Sequence, residues 1–181
     1  LMKANFDELK QWNQELEQIS ALDRIRWAWD RFNTGLMMTT SFGLQSAVMI
    51  HLVRQVSREI PIVFVDTGYL FPGTYQYALT LQKELEFKAK LYSSPYSPAF
   101  QETEYGKLWE QGKEGMNKYN SLNKKEPMDR ALKELGATAW LAGLRRVQSD
   151  SRKHLPMLEQ QSKIIKIHPI LDWEDLSLIH I

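Results

Sequence analysis

Apolar positions along this chain follow two regimes. Between residues 5 and 32 they recur at helical spacing: Phe6, Leu9, Trp12, Leu16 and Ile19 share one face of a first helix, and Ile25, Trp27, Ala28 and Phe32 stripe a second. Ser20-Ala21-Leu22-Asp23 resembles a capping box that starts the second helix, and Asn33-Thr34-Gly35 stops it. The aromatic stripe reads as packing, and no chemistry is assigned to it.

From Leu36 onward short apolar runs alternate with helical stretches, the signature of a parallel sheet covered by helices. Leu36–Thr40 predicts a buried strand, and the apolar stretch from Ala47 predicts a helix ending near Ser57. Pro61–Val65 is continuous and rich in β-branched residues, as in a strand buried on both faces. A helix from about Pro72 to Glu86 follows, with Pro72 in its first turn, then a strand near Phe87 to Tyr92 and a loop from Ser93 to Pro98. Ala99 to Gln111 is predicted helical, stopping at the glycine-bearing Gly112–Gly115, and Met128–Leu135 is predicted helical and closed by Gly136. Strands are expected at Thr138–Gly143 and Ile164–Ile167. With no internal repeat or low-complexity linker, residues 1–175 read as one domain, with 5–32 as its N-terminal helical part.

Composition narrows the function classes. The 181 residues are 43% hydrophobic and 25% charged, enough for one sizeable core, and the formal charge of +1 offers no overall basic field for nucleic acid or anionic membrane. Any anion site must be local. No apolar run reaches the roughly 18 to 20 residues that span a bilayer, and no signal-peptide pattern opens the chain, so a soluble cytoplasmic protein is expected. The cysteine count is zero, which removes disulfides, thiolate metal sites, iron–sulfur clusters and cysteine nucleophiles from these residues.

Candidate chemistry sits in three loops. Thr39–Ala47 joins a strand to a helix through small residues, aiming backbone N–H groups and the positive end of the helix dipole at one point, which suits a phosphate; taken alone it is equally an ordinary βα turn. Asp66-Thr67-Gly68-Tyr69 ends the next strand, and in open α/β sheets ligands bind at the carboxyl ends of strands. Arg145, Arg146 and Arg152 with Gln148 and Ser149 would form a planar clamp on a phosphate or sulfate, or else a solvated surface loop.

Four stretches together resemble one family. Thr40–Ala47, Val65–Pro72, Asn123–Met128 and Gly143–Arg146 with Gln148, Ser149 and Arg152 are similar to phosphoadenylyl-sulfate (PAPS) reductase, and the similarity continues through Leu155-Pro156 and His168–Trp173. It runs in order from about Ala21 to Asp175. The resemblance implies an α/β fold, the adenine-nucleotide α-hydrolase-like (Rossmann-like) three-layer sandwich with a mostly parallel sheet. It implies that Ser41, Phe42, Gly43, Gln45 and Ser46 form a modified pyrophosphate loop, with Phe42 replacing a glycine and Gln45 the aspartate of the ATP pyrophosphatases. Loss of that carboxylate fits a site that handles no metal-bound ATP. Asp66, Thr67, Gly68 and Tyr69 would border the adenosine, and Lys124, Arg145, Arg146 and Arg152, with Gln148 and Ser149, would meet the phosphosulfate and 3′-phosphate.

The family's chemistry is attack of a C-terminal cysteine on the PAPS sulfur, releasing adenosine 3′,5′-bisphosphate, followed by release of sulfite by thioredoxin. The resemblance thus implies PAPS as substrate, thioredoxin as electron donor, no bound metal or other cofactor, and a homodimer. The chain departs from the family after Asp175: Leu176–Ile181 reads as the in-frame translation of a transposon mosaic-end sequencing adapter, and the nucleophilic cysteine is expected beyond Ile181. The chain as it stands is expected to be an inactive fragment, a nucleotide-binding module without a nucleophile. Adenylyl-sulfate reductase would need a cysteine pair where Tyr119 and Asn120 stand, to hold an iron–sulfur cluster. An ATP pyrophosphatase-type enzyme, such as the small subunit of sulfate adenylyltransferase, would need the glycine and aspartate that Phe42 and Gln45 replace.

Overall fold

A computed structural model describes residues 5–174; the adapter-like tail over 176–181 lies outside the described residues. Two helices open the fold, α1 (Phe6–Glu17) and α2 (Ala21–Phe32). Asn5 starts α1 with a reciprocal capping box to Glu8. Ser20 accepts from the Asp23 N–H at 3.1 Å but gets no return bond to its own backbone, so only half of the expected box forms there.

The sheet begins with β1 (Leu36–Thr40), followed by α3 (Ser46–Val56), β2 (Ile62–Asp66), α4 (Pro72–Glu84) and β3 (Lys90–Ser93). Next come α5 (Pro98–Tyr105), α6 (Gly112–Asn120) and α7 (Glu126–Glu134), then β4 (Ala139–Leu141), β5 (Leu158–Gln161) and β6 (Ile164–Ile167). Strand order is β3-β2-β1-β4-β6-β5; every pairing is parallel except β5 with β6. Alternation along the strands sends Leu36, Met38, Ile62, Phe64, Leu141 and Ile167 to one face, against α2, α3 and α4, in the larger core. Met37, Val63 and Tyr92 face the other way and pack with Ala131 and Met128 of α7. Helices thus cover both faces, giving the three-layer α/β sandwich expected.

Two expectations are corrected and one strand is added. Gly112–Gly115 does not break a helix; it begins α6, and position 115 requires glycine because the space that a Cβ would need is taken by the Leu108 carbonyl oxygen 2.1 Å from it. Asn123–Pro127 does not merely precede a helix: Ser121–Lys125 is a π-helical turn that joins α6 to α7 without interruption. β5 was not expected, since Glu159-Gln160-Gln161 is polar. Asn13 of α1 holds its first residue, donating to the Leu158 carbonyl at 2.8 Å and accepting from its N–H at 2.9 Å.

Candidate functional site

The carboxyl ends of β1, β2 and β4 open on a cavity of about 680 Å³. The loop from β1 to α3 forms one wall through Ser41, Gly43, Gln45 and Ser46. Its shape depends on Phe42, which takes a left-handed φ of 54° while its buried ring packs edge-on against Phe64, centroids 4.9 Å apart. The Phe42 N–H donates to Thr40 Oγ1 at 3.1 Å, and the Ser46 N–H and hydroxyl both donate to the Gly43 carbonyl. Among the described residues, no acceptor takes the N–H groups of Gly43, Leu44 or Gln45. These donors stand at the N-terminus of the 11-residue α3, where the helix dipole favours negative charge. The Gln45 carboxamide donates to the Gly143 carbonyl at 3.1 Å, fixing the loop to the end of β4.

The second wall comes from the π-helical turn. There Asn123 is fully buried and exchanges two amide hydrogen bonds with Gln101, at 2.8 and 2.9 Å. The extra residue per turn leaves the adjacent Lys124 at the cavity, its ammonium 5.8 Å from the Tyr119 ring; π turns recur at functional sites for this reason. Thr67 and Leu70 line the cavity beyond β2, and Met38, Met49, Val65 and Met128 supply apolar surface of the kind that takes a flat base.

The remaining expected residues lie elsewhere. Asp66 accepts from the Gly68 N–H at 2.8 Å and the Tyr75 hydroxyl at 2.7 Å; burial, with help from this carboxylate, pushes the Tyr75 phenol up to about 12. Gly68 turns at φ 75° beneath Pro98. Tyr69 faces a separate hollow with Trp109, Met116 and Tyr119. The arginine segment does not line the cavity: Arg145 is buried, and Arg146 pairs with Glu17 at 2.9 Å and donates to the Leu155 carbonyl. Arg152 donates to Gln148 at 2.6 Å, and Ser149 shares a hydroxyl hydrogen bond with Ser151. Thus Ser41, Gly43, Gln45, Ser46, Thr67 and Lys124 converge, while Arg146 contacts Glu17 and Leu155 and Arg152 contacts Gln148.

The profile described as "Phosphoadenosine phosphosulfate reductase domain" matches residues 35–180. The chain belongs to the phosphoadenosine phosphosulfate reductase family. A Salmonella newport protein named phosphoadenosine 5′-phosphosulfate reductase is 51% identical over 170 residues, 94% of this chain and 70% of that protein. The crystal structure of a Candida auris PAPS reductase, a phosphate complex, is 29% identical with TM-score 0.84 and covers 99% of this chain and 86% of its own. A Candida glabrata FMN adenylyltransferase solved with FMN and an ATP analogue, only 11% identical, shares the fold at TM-score 0.62, over 93% of this chain and 60% of its own. Membership in the reductase family and the adenine-nucleotide α-hydrolase-like fold therefore agree.

Two cavity residues escape motif reading in this family member. Trp140 and Lys166 sit at paired positions on β4 and β6, and the Lys166 ammonium lies 5.0 Å from the Trp140 ring centroid. The signal was a single cation inside the apolar run Ile164-Ile165-Lys166-Ile167. Among the described residues, no three His, Asp or Glu side chains gather as metal ligands.

Proposed function

We propose that this chain binds PAPS in the cavity beside the Ser41–Ser46 loop and presents its sulfur for thiol attack in a thioredoxin-dependent reductase of sulfate assimilation. The observation that carries this reading is the set of unaccepted N–H groups from Gly43 to Gln45 at the start of α3, with Lys124 on the facing wall. An anion there meets donors and a cation, and the adenine meets Leu70, Val65 and Met128. Gln45 supports PAPS over metal-bound ATP, because it is neutral and committed to Gly143.

In the reaction, a cysteine thiolate attacks the sulfur of PAPS and the sulfur–oxygen bond to phosphate breaks. Adenosine 3′,5′-bisphosphate leaves with the bonding electrons. One thiolate of thioredoxin then attacks the cysteine sulfur of the S-sulfocysteine, expelling sulfite and forming a mixed disulfide, and the second thioredoxin thiol attacks that disulfide, releasing the cysteine thiolate and closing the thioredoxin disulfide. These 181 residues contain no cysteine, so on their own they bind and orient PAPS without reducing it.

Cytoplasmic location and a homodimeric state belong to the same reading. Among the described residues no helix is long and apolar enough to cross a membrane.

Titration calorimetry tests the proposal: adenosine 3′,5′-bisphosphate binds at least about tenfold more tightly than magnesium-ATP, a difference of about 1.4 kcal/mol. The chain mixed with PAPS, thioredoxin and its reductant yields no sulfite. Equal or tighter binding of magnesium-ATP would overturn the substrate assignment, and sulfite from this cysteine-free chain would overturn the thiol mechanism.

A further inference from the structure

Lys166 stands out among the basic residues of the cavity. Its side chain is partly buried, stands over Trp140, and lines the same cavity as the Ser41–Ser46 loop. Among the described residues no carboxylate forms an ion pair with it. Its cross-strand neighbour Glu159 accepts a hydrogen bond from Gln161 instead. Burial holds the Lys166 ammonium below its ordinary pKa, only partly offset by Glu159. A partly buried ammonium with no direct ion pair, on a residue that lines a cavity, is stabilised by an anion that enters.

Position says which anion. In the strand order, β6 lies two places from β1, about 10 Å across the sheet at ordinary strand spacing, and the register sets Lys166 level with Met37, three residues or about 10 Å before the end of β1. The N–H groups at the start of α3 and the Lys166 ammonium therefore suit two different anionic groups of one ligand, with the lysine's flexible stem spanning the remainder. Resting on the PAPS reading above, we infer that Lys166 is a specificity-determining residue that binds the 3′-phosphate of the nucleotide while the α3 N-terminus binds the 5′-phosphate.

The test compares adenosine 3′,5′-bisphosphate with AMP, which lacks the 3′-phosphate, by calorimetry on the 181-residue chain. Lys166→Met weakens the bisphosphate about tenfold and AMP less than about twofold, and Lys166→Arg keeps the bisphosphate within about threefold of wild type. A bisphosphate-to-AMP affinity ratio that Lys166→Met leaves unchanged overturns the inference while leaving the nucleotide site standing. Wild-type chain that binds neither nucleotide overturns the parent reading and this assignment together.

A footprint on the wild type does not depend on any variant folding: acetic anhydride acetylation of Lys166, read by mass spectrometry, is slowed by the bisphosphate and not by AMP. Equal acetylation with and without the bisphosphate overturns the assignment.

Discussion

Gln45 Nε2 donates to the Gly143 carbonyl oxygen at 3.1 Å, which ties the loop after β1 to the end of β4. The position tolerates a donor, and a carboxylate there would face a carbonyl oxygen and the anion site together. Gln45→Glu is expected to weaken adenosine 3′,5′-bisphosphate at least about tenfold in calorimetry. Affinity within twofold of wild type would show that this contact does not shape the site.

Arg24 joins the helical part to the end of the chain's last described loop. Its buried guanidinium donates to both Asp172 oxygens, at 2.7 and 2.9 Å, and to the Leu16 and Pro169 carbonyls. Burial acts to raise the Asp172 carboxyl, but the hydrogen bonds and charge of Arg24 outweigh it and hold it below the usual carboxylate range. Arg24→Met removes four charge-assisted hydrogen bonds from these acceptors, and urea denaturation should report a loss of about 3 kcal/mol. A loss under about 1 kcal/mol would contradict this account.

His168 makes stability depend on pH. It is fully buried, and burial followed by the charges of Lys166, Arg152 and Arg146 pushes its pKa down to about 4. The folded state keeps it neutral while the unfolded chain protonates it from about pH 6.5 downward. Its contribution is therefore complete above about pH 6.5 and is lost as pH falls toward 4, on the order of 3 kcal/mol in total. Denaturation curves between pH 7.5 and 4 should show this loss, and His168→Asn should flatten it; an equal slope in the variant would assign the effect to other groups.

Two glycines should respond differently to alanine. A Cβ on Gly115 would meet the Leu108 carbonyl oxygen at 2.1 Å and Gln111 Cβ at 2.6 Å, so Gly115→Ala should cost about 2 kcal/mol or more through overpacking. Gly136 has open space around it but a φ of 61°, so Gly136→Ala should cost only about 1 kcal/mol of backbone strain. Thermal melts of both variants give the ranking, and a reversed order would refute it.

Much of this fold is legible in the sequence because its central strands are buried on both faces. Leu36–Thr40 and Ile164–Ile167 are apolar enough to be found at their observed limits. β5 was hidden because a side chain from α1 supplies part of its hydrogen bonding, a contact 145 residues apart in sequence. The π-helical turn has no periodic signature. That the Ser41–Ser46 loop lines a cavity is legible because strand, small residues and helix are contiguous. The arginine motif does not reveal partners distant in sequence, since guanidinium groups suit phosphates and internal acceptors equally; Arg146 pairs with Glu17, 129 residues away. Lys166 is not legible, because one lysine in a strand carries no motif.

The most direct test is a crystal structure of this chain grown with adenosine 3′,5′-bisphosphate. The expected result is the nucleotide in the 680 Å³ cavity, its 5′-phosphate accepting from the N–H groups of Gly43, Leu44 and Gln45. A nucleotide bound elsewhere on the chain, with that loop making no contact to phosphate, would contradict the account.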